Sequence, residues 1–286
     1  MKMKFALLAV VVTAVTAVPA VPAQADAVTS GGSSGSASQS EFKPFDRESQ
    51  MRLSPAEAKV EAAKDAKVKA AFALRDPKGG VVPNVCAPYP ECAPPAASHS
   101  LGGRQQAQAG AKPLVTGKYY CGPAAVFEAS SHEFVTLSQD SAASQLGTTS
   151  AGTGWSTAST GPVQSTLNNN LGSSVPTYIA STVGSATSAE ISSLASRTAY
   201  DIWNGEPVVN DAYEVATSAY HLVGHPNDRT IMHWFTTYAY SSTGAVINYE
   251  DSASSPYVSW GASVPKYSAL SATAIAHIVG GRGYVW

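Results

Sequence analysis

Residues 233–251, HWFTTYAYSSTGAVINYED, hold two runs rich in β-branched and aromatic side chains, separated by the turn sequence SSTG. Such runs, with a period of two and a short polar turn between them, are typical of a β-hairpin. The stretch PVVNDAYEV at residues 207–215 has the same character and predicts a further strand. We expect the three strands to pair as one antiparallel sheet.

Helical patterns mostly precede these strands. We expect short helices over residues 123–134 and around 163–171, and a longer helix over 188–203 that Gly205 ends. One more helical stretch, residues 271–279, follows the strands. Helices first and strands second predict an α+β domain, because a doubly wound fold would alternate strand and helix along the chain.

The chain before this domain changes composition several times. Two early lysines, an apolar run and the small-residue triplet AQA are typical of a cleaved signal peptide, and SGGSSGSASQS is typical of a flexible linker. Ser54, Pro55 and Glu57 form a helix-start pattern before a run of Ala, Lys and Glu. The predicted segments are a signal peptide (1–25), a flexible linker (26–53), a charged helix (54–76), an irregular connector (77–111) and the folded domain (112–286).

These segments predict a protein that is secreted, with association to the cell wall as one possible location. The early apolar run is shorter than the roughly 20 residues that a spanning helix needs, so we expect no stable membrane span. From Lys112 onward acids outnumber bases, so nothing in that part of the sequence indicates a nucleic-acid-binding surface, and we expect no nucleic-acid partner. The charged helix has three candidate roles: a removable pro-segment, an arm that touches anionic cell-wall polymer, or a solvated spacer, which its thin apolar face favours.

Three cysteines occur in the sequence. Cys86 and Cys92 flank a proline-containing turn, CAPYPEC, and we expect them to form a short disulfide loop in the connector. Cys121 is then left over, and a leftover cysteine in a secreted protein is either a small buried apolar side chain or a reactive thiol.

The sequence around Cys121 favours a reactive thiol. Pro123 predicts that a helix begins at this point, and the free N–H groups and dipole of a helix start favour a thiolate. A thiolate needs a proton carrier, which is usually a histidine oriented by a carboxylate. His233 opens one hairpin strand and Asp251 ends the other, so the hairpin can bring the two together.

We expect no metal and no cofactor. A metal site formed by His221, His225, Asp228 and His233 is conceivable, but their spacing matches no compact ligand pattern.

The stretches YYCGPAAV at 119–126, PVVNDAYEV and HWFTTYAYSSTGAVINYED together resemble the papain-like cysteine peptidases related to the bacteriocin-processing, double-glycine-leader peptidases. The resemblance implies a papain-like fold, with N-terminal helices packed on a C-terminal antiparallel β-sheet. It also implies that Cys121 is the nucleophile, His233 the general base and acid, and Asp251 the residue that orients His233. The implied partner is a peptide or protein substrate, with cell-wall peptide as one class.

The sequence departs from that family at the oxyanion site. The family usually has a glutamine a few residues before the cysteine, whereas KPLVTGKYY at 112–120 has none, and Gln108 lies thirteen residues upstream. The alternative function is therefore a weak or inactive papain-like module that binds peptide or cell-wall glycan. Its candidate binding aromatics are Trp155, Tyr213, Trp234 and Tyr257.

Overall fold

The structure is a computed structural model, and it describes residues 53–73, 96–101, 120–149, 152–155, 161–171 and 178–286. The predicted signal peptide, nearly all of the linker and most of the connector lie outside the described residues. So do Cys86, Cys92 and Gln108, together with the disulfide predicted between the two cysteines.

The described residues form an α+β structure, as the sequence predicted. The helices are α1 (Pro55–Ala73), α2 (Cys121–His132), α3 (Gln139–Gln145), α4 (Pro162–Leu171), α5 (Ser188–Trp203) and α6 (Ala272–Ile278). The strands are β1 (His99–Ser100), β2 (Ala180–Val183), β3 (Val208–Glu214), β4 (Ile231–Ser241), β5 (Val246–Glu250), β6 (Tyr267–Ser271) and β7 (Arg282–Val285).

The strands form one antiparallel sheet in the order β2-β7-β3-β4-β5-β6, and β1 also pairs with β4. The three predicted strands are β3, β4 and β5, which are neighbours in the sheet. The turn between β4 and β5 has left-handed backbone at Ser242, Thr243 and Gly244, so glycine suits its last position. Four further described strands were not predicted, and one of them, β7, lies between β2 and β3.

Helices cover both faces of the sheet. Neighbouring strand residues point to opposite faces, and Val209 and Trp234 pack with α2, α3 and α4, whereas Val208 and Phe235 pack with α1, α5 and α6. The predicted order of helices before strands is therefore only approximate, since β2 precedes α5 and α6 lies between β6 and β7.

The charged helix α1 packs on the domain and is not a solvated spacer. Lys64 is buried on α1, and its Nζ is 3.0 Å from Oδ2 of the buried Asp201 on α5. Arg197 of α5 binds Asp65 with two nitrogens, at 2.8 and 2.6 Å. The predicted helix start is confirmed, because Ser54 N donates to Glu57 Oε2 at 2.7 Å. Within the described ranges, no helix has both the length and the apolar character needed to cross a membrane.

Candidate active site

Cys121 is the first residue of α2, and its half-buried thiol is free. The first N–H groups of a helix have no acceptor inside it, so the Cys121 N–H can bind a ligand atom. The next residue must be small: a Cβ on Gly122 would lie 2.3 Å from Thr153 Oγ1. The segment that carries Thr153 is held in place by Trp234, whose Nε1 donates to the Thr153 carbonyl at 3.1 Å.

His233 lies near the start of β4, opposite Ala212 of β3, and is buried. Its Nε2 is 2.9 Å from Oδ1 of Asp251, which directly follows β5. The same Oδ1 accepts from Ala253 N at 2.8 Å. The β4–β5 hairpin therefore brings His233 and Asp251 together, as the sequence predicted.

Cys121 completes this arrangement, because its thiol lies close enough to the ring of His233 to raise the pKa of that imidazole. Because Nε2 of His233 faces Asp251, Nδ1 is the ring nitrogen left to face the sulfur. The structure thus brings all three predicted site residues together, although they come from α2, β4 and the end of β5.

The electrostatics of this arrangement favour a charged imidazole beside a charged carboxylate. Burial opposes protonation of His233, but the charge and hydrogen bond of Asp251, and then the nearby Cys121, raise its pKa well above the ordinary value. Burial would likewise raise the pKa of Asp251, but His233 and His225 lower it well below its usual range. His233 is therefore held as an imidazolium and Asp251 as a carboxylate.

A second imidazole binds Asp251. His225 Nε2 is 3.0 Å from Asp251 Oδ2, and His225 Nδ1 is 2.8 Å from Glu214 Oε2. The edge of the His225 ring meets Trp260, with ring centroids 4.5 Å apart. The sequence indicated His225 only as a conceivable metal ligand, and its contact with Asp251 was not predicted.

Glu214, the last residue of β3, ends the network on this side. Its Oε1 accepts from Leu222 N at 2.7 Å, and its Oε2 is 3.3 Å from His221 Nδ1. The sequence held one signal of this arrangement. The strand β3 ends in an acid, and the loop from β3 to the strand that carries His233 contains two histidines, His221 and His225.

The metal set considered from sequence is not brought together. Asp228 is exposed and paired with Arg229, with Oδ1 and Nε 2.7 Å apart. Instead, ligand atoms of His225, His233 and Asp251 lie within 4.8 Å of one another. Those nitrogens already face the Asp251 carboxylate as N–H donors, so a cation would have to displace two protons before it could bind. The donor set therefore fits a hydrogen-bonded ion-pair network better than a metal centre.

Two of the four candidate binding aromatics belong to the core. Trp155 and Trp234 are buried and pack together, with ring centroids 5.8 Å apart. Tyr213 is half-buried beneath the guanidinium of Arg282, and Tyr257 is exposed. The buried pair cannot line a binding cleft, which corrects that part of the sequence analysis.

Comparisons of the chain with protein-family models, with curated proteins and with solved structures found no match.

Proposed function

We propose that the protein is a secreted cysteine peptidase, or a closely related amide hydrolase, that uses Cys121, His233 and Asp251. The observation that carries the proposal is a free thiol at a helix start beside a buried imidazole, which is itself hydrogen-bonded to a buried carboxylate. The sequence resemblance supports the same chemistry and a papain-like arrangement of helices and sheet. Peptides and proteins, including cell-wall peptides, are the proposed substrates.

The first half of the reaction forms an acyl-enzyme. The thiolate of Cys121 attacks the amide carbonyl carbon, and the carbonyl electron pair moves onto oxygen, which the Cys121 N–H stabilises. When the carbonyl re-forms, the C–N bond breaks and the His233 imidazolium gives its proton to the leaving amine. A thioester on Cys121 and a neutral imidazole remain.

The second half restores the enzyme. Neutral His233 takes a proton from water as the water oxygen attacks the thioester carbonyl, and the C–S bond then breaks to release the acid and the thiolate. Asp251 keeps Nδ1 of His233 directed at the sulfur, because it holds the opposite nitrogen at 2.9 Å. The thiolate–imidazolium pair is then ready for the next substrate.

The oxyanion site distinguishes this proposal from the alternative, a module that binds peptide or glycan without cleaving it. The sequence has no glutamine shortly before Cys121, and loss of one oxyanion donor typically lowers the rate by about 10²–10³-fold. The alternative predicts binding of peptide without turnover. Hydrolysis that depends on Cys121 would reject it.

The proposal is tested by selective alkylation and by hydrolysis of a peptide library. Reduced protein is treated with limiting iodoacetamide at pH 7, and modification at each cysteine is measured by mass spectrometry. We expect Cys121 to react fastest, with Cys86 and Cys92 as internal controls in the same chain. The alkylated protein and a Cys121→Ala variant should both lose hydrolysis.

Variants of the histidines provide the matched comparison. His233→Gln should lower kcat by about 10²–10⁴-fold, since it removes the general acid and base. His277→Gln makes the same chemical change outside the network, where the His277 ring stacks on Tyr220 at 4.1 Å, and should change kcat less than about twofold. Undiminished turnover by Cys121→Ala would contradict the proposal.

A further inference from the structure

His225 connects two buried carboxylates. Its Nε2 is 3.0 Å from Asp251 Oδ2 and its Nδ1 is 2.8 Å from Glu214 Oε2, and the side chains of all three residues are almost completely buried. A neutral imidazole has one N–H, so one of its nitrogens would direct a lone pair at a carboxylate oxygen. With both acids ionised, the observed contacts are both attractive only if each nitrogen carries a proton.

We propose that His225 is a second imidazolium on Asp251 and acts as a positioning residue, with Glu214 as its counter-ion. The proposal rests on the proposed function, because it concerns how Asp251 is oriented toward His233. Along the network, negative and positive groups then alternate from the Cys121 thiolate to the Glu214 carboxylate. Each buried charge has an opposite charge beside it, which buried charges require.

The orientation of Asp251 depends on both of its oxygens. Oδ1 accepts from His233 Nε2 and from Ala253 N, whereas the donor to Oδ2 is His225 Nε2. Without His225 a buried carboxylate oxygen would lose its charged donor, and rotation about the Cβ–Cγ bond would be less restricted. His225 therefore fixes which oxygen faces His233.

The groups around His225 support the charged form. Asp251 and Glu214 favour the imidazolium, and His233 opposes it because it carries the same charge. Burial also opposes it, yet the hydrogen bonds to the two carboxylates raise the pKa of His225 above the ordinary value. His221 and the Leu222 N–H hold Glu214, and so fix the position of the counter-ion.

Nuclear magnetic resonance of ¹⁵N-histidine-labelled Cys121→Ala protein tests the charge without any need for turnover. His225→Gln in the same background assigns the His225 signals. We expect both ring nitrogens of His225 to carry protons from pH 6 to pH 8. A neutral His225 ring at pH 7 would overturn the inference, whatever the enzyme does.

Kinetics test the positioning role. His225→Leu should lower kcat/KM by about 10- to 100-fold, mostly through kcat, since a charged hydrogen bond to Asp251 is lost. The double variant His225→Gln/Glu214→Gln keeps an N–H donor for Asp251 and should lose about tenfold less activity than His225→Leu. His277→Gln is the matched control and should stay within about twofold of wild type.

The pH profile separates positioning from a merely structural role. Removing the His225 charge raises the pKa of His233, so the alkaline limb of the Cys121 alkylation rate should move to higher pH in His225→Leu. If the wild type is active, His225→Leu is equally active and the alkaline limb of its alkylation profile does not move, then the inference about His225 is overturned. The proposed function would remain. A wild type that hydrolyses no peptide, while its alkylation profile still shifts in His225→Leu, would reject the proposed function and leave the inference standing.

Discussion

Replacing Lys64 by methionine should lower the free energy of unfolding by about 3 kcal/mol at pH 7. Lys64 Nζ lies 3.0 Å from Asp201 Oδ2, 4.0 Å from Glu206 Oε2 and 4.4 Å from the centre of the Trp286 ring. Methionine keeps most of the aliphatic packing of the lysine but carries no charge. The substitution therefore leaves the Asp201 carboxylate, which is fully buried, without its closest cation.

The size of the loss is limited by the free energy needed to protonate Asp201 once Lys64 is absent. Protonating an aspartate of ordinary pKa, about 3.9, costs about 4 kcal/mol at pH 7. This value is the largest destabilisation that the unpaired charge can cause, because beyond it Asp201 becomes neutral. Burial already raises the pKa of Asp201 despite Lys64, so the additional loss is smaller, about 3 kcal/mol. At pH 5 the same ceiling falls to about 1.5 kcal/mol.

Urea denaturation followed by circular dichroism, at pH 5 and at pH 7, measures the effect. Lys69→Met is the control, because Lys69 is an exposed lysine on the same helix and its loss should cost less than about 0.5 kcal/mol. Adding Asp201→Asn to Lys64→Met removes the unpaired buried charge and should recover part of the lost free energy of unfolding. Equal stability of the Lys64 and Lys69 variants at both pH values would refute the docking of α1 by a buried ion pair.

Two further predictions concern the sheet and the site. Gly283→Ala should lower the free energy of unfolding by about 2–3 kcal/mol, because a Cβ there would lie 1.9 Å from the Ser181 carbonyl oxygen. Gly184→Ala, where the nearest atom is a flexible Glu190 oxygen at 3.1 Å, should cost less than half as much, and equal melting of the two variants would contradict this packing. Because the folded pKa of His233 is raised, its stabilisation is complete below about pH 6.5 and is lost as pH rises through the folded value. The stability difference between wild type and His233→Gln should therefore shrink in urea titrations above pH 7, and a difference that grows with pH would count against the imidazolium.

The hairpin and the longest predicted helix of the domain followed from local sequence. Helix α5 runs over the predicted residues 188–203, because Thr187 and Glu190 form a capping box at its start and left-handed backbone at Gly205 follows its end. The pairing of His233 with Asp251 followed from hairpin geometry alone. Such features depend on residues near one another in the chain, which a sequence pattern can encode.

The features that sequence analysis missed depend on distant contacts or on very short elements. Strand β7 has four residues, RGYV, and its glycine and arginine interrupt any alternating apolar pattern. Helix α1 has a thin apolar face, and it docks through Lys64 to a partner 137 residues away. His225 meets Asp251 only because the loop that follows β3 brings it to the residue that follows β5, and no local pattern indicates that contact.

Cys121 belongs to the helical layer, whereas His233 lies in the sheet and Asp251 directly follows one of its strands. The Cys121 thiol and the His233 imidazole consequently meet only after the helical layer has packed on the sheet. In a nascent or partly folded chain, the thiol has no imidazole beside it. If residues 1–25 direct export as their sequence predicts, the polypeptide would cross the membrane before this pair exists. If the chain is also the hydrolase proposed above and is exported unfolded, this order of events would keep it inactive inside the producing cell.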